Sequence, residues 1–272
     1  MPPWDTTTLT YHSRTFELLG AEPLVSPAAR EIFKQVEQRI GRVMPASVRE
    51  WYELDGAGQL LLRFSNDDPP LDIVDFGKPL KDTRGGGPHD LLERNLLVFR
   101  WENQGVCAWA IQLDGSDDPP VVVDVDTQFS SWVQCAPSFS QHLYGWMWDH
   151  ALVLGKLRGD DLLDDLVIEA QNQPLSQEAL SYLRSHFEAE LVTHGWPGDT
   201  QYRFFIGDQR ILIWAGENHA DWFLSAKSEE ALGHLANLVS PLDGLAGALF
   251  SNTEAGQALL RRVRGSTPRV ES

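Results

Sequence analysis

The stretch Val98 to Asp126, VFRWENQGVCAWAIQLDGSDDPPVVVDVD, decides the reading of the first half of the chain. Val98 to Trp101 runs into the turn Glu102-Asn103-Gln104-Gly105, and from Val106 onward the side chains alternate. Cys107, Trp109, Ile111 and Leu113 fall on one side; Val106, Ala108, Ala110 and Gln112 fall on the other. A period of two is the signature of a strand. Asp114-Gly115-Ser116-Asp117-Asp118-Pro119-Pro120 then interrupts the pattern with turn formers, after which Val121, Val123 and Val125 alternate against Val122, Asp124 and Asp126. Three strands joined by two tight turns make an antiparallel meander, predicted here to bury one face.

On the N-terminal side of the meander the pattern turns helical. Ser26-Pro27 has the form of an N-cap followed by proline in the first turn, and Ile32, Phe33, Val36 and Ile40 recur at helical spacing up to Gly41. Pro45 opens a shorter helix with Met44, Val48, Trp51 and Tyr52 on one face, and Gly56-Ala57-Gly58 closes it. Gln59 to Phe64 and Leu71 to Phe76 read as extended segments around Asn66-Asp67-Asp68-Pro69-Pro70. The echo between DDPPLDIVDF at 67–76 and DDPPVVVDVD at 117–126 is a turn solution used twice, because proline fixes its own φ and keeps the preceding residue out of the helical region. Gly85-Gly86-Gly87-Pro88 is a linker: no Lys-Ser/Thr pair follows it, so it does not read as a phosphate cradle.

On the C-terminal side, Ser138 to Leu154 carries Phe139, Leu143, Trp146, Met147 and Leu154 at helical spacing. The charge-dense run from Gly155 to Gln173, with an amphipathic stripe at Leu162, Leu163, Leu166 and Val167, is where a domain boundary is expected. Beyond it, Ser176 caps a helix with Leu180, Leu183, Phe187 and Leu191 on one side, running to Gly195. Strands are expected at Tyr202 to Ile206, Arg210 to Trp214 and Asp221 to Ser225, the first two joined by Gly207-Asp208. Ser228 caps a further helix through Ala231, Leu232, Leu235 and Leu238. Arg261, Arg262 and Arg264 stand where positive charge suits a helix C-terminus. The fold class is α+β: an antiparallel meander packed against helices over residues 1–155, then a smaller α+β region over residues 156–272.

Composition bounds the function. With 42% hydrophobic and 10% aromatic residues, the chain can build real cores and is not read as disordered. Its net charge of -17 is shared by both halves and repels nucleic acid and anionic membrane, while a basic partner would be steered inward. No apolar run approaches the roughly 18 residues of a membrane helix, and MPPWDTTTLTYHSR lacks the pattern of a secretory signal, so a cytoplasmic location is expected. Cys107 and Cys135 are too few for a disulfide framework and are read as reduced, small hydrophobic residues.

Searches for chemistry give little. The eight histidines form no HExxH motif and the cysteines no CxxC; the Asp114 to Asp118 acids lack the glycine and glutamate positions of a calcium loop; no G-x-S-x-G elbow is present. No catalytic residue, metal site or cofactor is expected. The alternative is a small-molecule-binding or carboxylate-based enzyme domain with acids and tryptophans gathered in a cleft.

At IGRVMPASVREWYELDGAGQLL (Ile40 to Leu62) and LLVFRWENQGVCAWAIQLDGSDDPPVVVDVD (Leu96 to Asp126), the chain resembles the SMI1/KNR4 family, also called the SUKH superfamily. The residues that carry the resemblance are Pro45, Trp51, Tyr52, Gly56, Trp101, Gly105, Trp109, Pro119, Pro120 and Val121, within roughly Leu24 to His150. It implies an α+β interaction fold. Many bacterial members are immunity proteins that neutralise a toxin, often a nuclease, and others are regulatory scaffolds; no catalytic residue is implied. An acidic inhibitor suits a basic, phosphate-gripping target. The expected partner-binding residues are Trp101, Glu102, Asp114, Asp117 and Asp118 on exposed meander turns, with Asp67 and Asp68 as a second group.

Overall fold

The computed structural model describes residues 9–57, 60, 91–102, 104, 106–126, 129–154, 168–195 and 199–266. Asp67, Asp68, the extended segments expected around them apart from Leu60, the Gly85 to Pro88 linker and the Leu162 to Val167 stripe lie outside these residues; Leu60 is helical, not extended, its N–H donating to Gly56 O at 3.1 Å. The chain forms two compact units, Met1–Met147 and Trp148–Ser272, and so divides earlier than the expected junction at 155. The architecture is α+β. Among the described residues no helix is long and apolar enough to cross a membrane.

The first unit is built on the meander. Strands β1 (Leu96–Trp101), β2 (Ala108–Gln112) and β3 (Val121–Asp124) pair in the expected order, and a fourth, β4 (Trp132–Ala136), adds antiparallel to β3. The expectation of one buried face is corrected. Trp109, Ile111, Val121 and Val123 are buried on one face; Ala108, Ala110 and Val122 are buried on the other, in a cluster with Leu91, Leu96, Val98 and Phe129. Alanines read as neutral in an alternating pattern, but their small side chains leave room for the large ones of Phe129, Trp101 and Trp132 that pack there. A bulge between Val98 and Arg100 leaves Phe99 unpaired. Phe99 meets Phe139 edge-on at 5.4 Å, and Arg100 lies 3.7 Å above the Trp109 ring, so these two consecutive side chains serve the same face, as a bulge permits.

Helices cover that face. Helix α2 (Pro27–Ile40) starts and stops as the sequence predicts: Ser26 Oγ accepts the Ala29 N–H at 3.2 Å, and Gly41 ends the helix at φ 67°. Helix α3 (Ala46–Tyr52) buries Val48, Trp51 and Tyr52. Tyr52 stacks on Phe139 of α4 (Phe139–Trp148) with ring centroids 6.4 Å apart. A further short helix, α1 (Ser13–Leu19), packs Phe16 against Trp51. Beside it, His12 is fully buried against Trp51 and Phe139, with Nε2 2.8 Å from Ser47 O.

The second unit opens with a π-helical turn, Asp149–Val153. The expected three strands are present within a larger sheet. Strand β5 (Ile168–Asn172), β6 (Glu188–Ala189), β7 (Thr193–His194), β8 (Thr200–Ile206), β9 (Gln209–Ala215) and β10 (Ala220–Ser225) form an antiparallel sheet ordered β5-β10-β9-β8-β6, with β7 also on β8. The helix expected from Ser176 to Gly195 ends sooner: α5 (Gln177–His186) stops because Phe187 turns extended and Glu188–Ala189 pairs with Phe204 and Phe205. Pairing at the sheet edge overrides a helical stripe that Leu191 would have extended. Helices α5, α6 (Glu229–Val239), α7 (Leu245–Ala248) and α8 (Glu254–Ser266) share a core with Ile168, Phe204, Ile211, Ile213, Trp222 and Leu224. Gly233 lets α8 approach α6, since a Cβ there would stand 3.1 Å from Leu259 Cδ1.

One ion pair lies deep in this unit. The Arg203 guanidinium, on β8, donates to both carboxylate oxygens of Asp149 at 2.6 Å, to Thr193 Oγ1 at 2.9 Å and to Leu191 O at 2.8 Å. The two side chains are 1% and 4% exposed, so removing either leaves the other's charge buried and unpaired. Asp149→Asn and Arg203→Met should each lower the stability of the second unit by about 3–5 kcal/mol in urea unfolding, with the double variant less destabilised than the sum of the two.

Proton linkage gives the first unit two opposing slopes. Burial holds the His12 imidazole below its ordinary value, against the pull of the Ser47 carbonyl and the Glu50 and Asp118 charges. The unfolded chain takes up a proton below about pH 6.5 that the folded one refuses, so this contribution to stability is lost as pH falls. Burial pushes Asp124 the other way, up to about 6, aided by its neighbour Asp126. Its contribution falls as pH rises through the window from about 4 to 6, because there the folded state holds the extra proton. His12→Gln should flatten the acid-side loss of stability, and Asp124→Asn should raise stability at pH 7, both read from denaturation midpoints against pH.

Candidate functional site

The two meander turns do different jobs. In the turn between β1 and β2, the Glu102 carboxylate folds back to accept the Gln104 and Val106 N–H groups at 2.7 and 3.2 Å, and its own N–H donates to Cys107 O at 3.1 Å. Glu102 is only 8% exposed. Trp101 is half-buried, edge-on to Phe129 at 5.2 Å. The expectation that these two side chains stand out in solvent is corrected: one closes the turn and the other packs on the second sheet face.

The turn between β2 and β3 has the geometry of a presented loop. Gly115 adopts φ 92°, which favours glycine, and Asp114 Oδ1 accepts the Ser116 N–H at 2.9 Å and its Oγ–H at 2.6 Å. Those hydrogen bonds hold the Asp114 carboxyl below the usual carboxylate range. Asp114 and Asp117 are exposed. Asp117 O accepts the Ser47 N–H at the start of α3 at 2.9 Å. Asp118 turns inward, accepting the Ser140 N–H at 3.0 Å and its Oγ–H at 2.5 Å in the first turn of α4. The loop is therefore tied to two helix N-termini, with Asp114 and Asp117 left facing solvent.

Consecutive turns of an antiparallel meander lie at opposite ends of its strands. Strand β2 has five residues, so Trp101 and Glu102 are separated from Asp114, Asp117 and Asp118 by the strand's length, about 17 Å at roughly 3.4 Å per residue. The structure does not bring the two groups together. It brings other residues to the acidic turn. The Glu50 carboxylate of α3 accepts the N–H groups of Thr10, Tyr11 and His12 at 2.8, 2.9 and 2.9 Å, placing a negative charge at the start of α1. The Tyr11 hydroxyl is raised above its ordinary pKa by burial and by the charges of Asp117, Asp118 and Glu50. Tyr11 and Glu50 thus belong to the face of the Asp117–Asp118 turn. Tyr11 gives no periodic signal, and Glu50 acts on a segment about forty positions away.

The chemistry-bearing pairs elsewhere in this unit are structural in character. Cys135 Sγ lies 3.6 Å from His142 Nδ1, but burial pushes the thiol up to about 12, which keeps it protonated at neutral pH. Cys107 and Cys135 are both buried thiols that form no disulfide. Among the described residues, no three His, Cys, Asp or Glu side chains are gathered so as to hold a metal ion. Searches for related proteins find no matching family model, no matching curated protein and no matching solved structure.

The capping role of Asp118 separates it from its neighbours in a way that unfolding can read. Asp118→Ala should cost about 1 kcal/mol of stability, within a range of roughly 0.5–2, by stripping α4 of an acceptor. Asp117→Ala, which removes none of these acceptors, should stay within about 0.5 kcal/mol of the parent in the same thermal unfolding measurement.

Proposed function

We propose that the chain is a non-enzymatic, cytoplasmic protein-binding protein, and specifically an immunity protein of the SMI1/KNR4 type that neutralises a basic toxin domain. The observation that carries this reading is the Asp114–Pro120 turn. It is tied to α3 through the Asp117 carbonyl and to α4 through the Asp118 carboxylate, so the Asp114 and Asp117 carboxylates are offered to solvent from a braced frame. A partner that meets a preorganised loop loses less conformational freedom on binding than one that must order it. The negative charge of Glu50 adds to the same face, and the net charge of -17 supplies long-range attraction for a cationic surface. A toxin that grips phosphate is basic for that purpose, and an acidic cover would block the grip.

Supporting roles follow from position. Asp114 and Asp117 would make charge-assisted contacts; Tyr11 would contribute a half-buried aromatic edge next to them. Trp101 and Glu102, at the other end of the meander, would hold the sheet in shape and not touch the same partner patch.

The test is co-expression with a basic toxin domain encoded beside this chain's gene, with growth as the readout and the purified complex as the second. Rescue of growth together with a stable complex is expected; lack of both rejects the immunity reading. Within such a complex, the Asp114→Lys/Asp117→Lys double variant should slow association by about tenfold or more at low salt and much less at high salt, with dissociation changed little, when followed by stopped-flow mixing.

A further inference from the structure

The six-stranded sheet of the second unit packs its large apolar cluster on one face, while on the other Leu212 and Arg203 are also buried. On its other face, residues paired across strands line up in rows. Gln201, Trp214, Asp221 and Gln171 form one row; Arg203, Leu212, Phe223 and Glu169 form the next. The π turn occupies one side of this face, where Asp149 meets Arg203 and Leu152 O accepts the Ser225 hydroxyl at 2.7 Å. On the other side, Trp214 and Phe223 sit diagonally across β9 and β10, edge to face at 5.0 Å, both half-exposed.

Carboxylates surround this aromatic pair. Asp221 stands in the Trp214 row and Glu169 in the Phe223 row. Burial raises the Glu169 and Asp199 carboxyls above their ordinary values, and the charge of Asp221 adds to the rise in both. The basic side chain set against them is His219, whose Nε2 is 3.5 Å from Asp221 Oδ2. At 45% exposure the His219 side chain is a solvent-screened counter-charge. The Glu169 carboxylate in addition accepts a hydrogen bond from Asn252 Nδ2 at 3.3 Å. Three acids set around a half-buried aromatic pair repel one another, and a cation placed among them relieves that repulsion.

We propose that this face is a docking surface for a protein segment that presents an arginine side chain, its guanidinium lying over Trp214 and Phe223 and bonded to Asp221 and Glu169. The argument for that occupant is complementarity of charge and shape. A guanidinium is planar, stacks on aromatic rings and bonds carboxylates in a fork, so it satisfies the rings and the acids at once. An anionic ligand such as a nucleic acid would meet Asp199, Asp221 and Glu169 and be repelled. The surface belongs to the second unit, and its chemistry does not depend on the Asp114–Pro120 turn or on the toxin reading.

The experiment uses the full chain labelled with nitrogen-15 at its tryptophans, the Trp214 indole resonance being identified by its loss in Trp214→Phe. The probe is the capped peptide acetyl-Arg-Gly-Arg-Gly-Arg-amide, titrated to millimolar concentration at low salt, with a norleucine-for-arginine analogue as control. The expected result is a saturable shift of the Trp214 resonance with the arginine peptide, absent with the analogue, and weakened about tenfold or more in Asp221→Asn and in Glu169→Gln. Both substitutions are nearly isosteric, and an otherwise unchanged spectrum certifies their fold. Asp114→Asn/Asp117→Asn should leave the Trp214 shift as it is, which separates this surface from the meander turn. No Trp214 shift, an equal shift with the norleucine peptide, or a shift that persists undiminished in Asp221→Asn would overturn the proposal.

Discussion

The first unit depends on a loan of hydrogen-bond acceptors from one turn to two helices. A helix begins with N–H groups that its own backbone does not satisfy. Here the Asp114–Pro120 turn supplies partners for both α3 and α4, through Asp117 O to Ser47 and through Asp118 to Ser140. The same turn sets the register of β2 against β3, where Trp109 faces Val123 and Ile111 faces Val121. Sheet and helices are therefore located relative to one another by a few polar contacts, and the aromatic packing of Trp51, Tyr52, Phe99 and Phe139 fills what lies between. Only the side chains the turn does not need for this purpose remain available for recognition.

The second unit solves a different problem. Its sheet carries a full helical layer on one face, so its other face has to be managed with less material. The π turn covers part of it with a buried ion pair whose guanidinium donates to Asp149, Thr193, Leu191 and Gln201. A buried charge pair adds less net stability than apolar packing of the same volume, but it tolerates few alternative partners and so fixes where the turn lies. What the turn leaves uncovered is the aromatic and acidic strip around Trp214 and Asp221.

Much of this architecture is legible in the sequence wherever the cause is local. Ser26, Ser176 and Ser228 each accept an N–H from three residues on, at 3.2, 3.0 and 3.2 Å, and each was readable as a serine before an apolar stripe. The meander and the strands β8, β9 and β10 follow from alternation and from the turn between them. What the sequence does not disclose depends on partners far along the chain. Helix α1 is seven residues long and is held by Glu50; β6 has only two residues and exists because β8 is beside it; Asp149 finds Arg203 54 positions later. The candidate site divides along the same line. Exposed acids at Asp114 and Asp117 are readable from turn chemistry, whereas the burial of Glu102, the capping role of Asp118 and the opposite placement of the two turns are facts about the folded sheet.

The strand order β5-β10-β9-β8-β6 carries a consequence for how the chain is made. Strand β5 is the first of its sheet to be synthesised, yet its partner within the sheet is β10, the last. The meander, by contrast, pairs each strand with its sequence neighbour and can close as it leaves the ribosome. Contacts between distant segments form more slowly than local ones, because the intervening loop must be closed first. During that interval Ile168 and Ala170, which end in the core, have no partner strand, and a chaperone or a second nascent chain would find them as an unpaired edge. The two halves of the protein are thus unequal in time: the first can be finished while the second is still waiting for its closing strand.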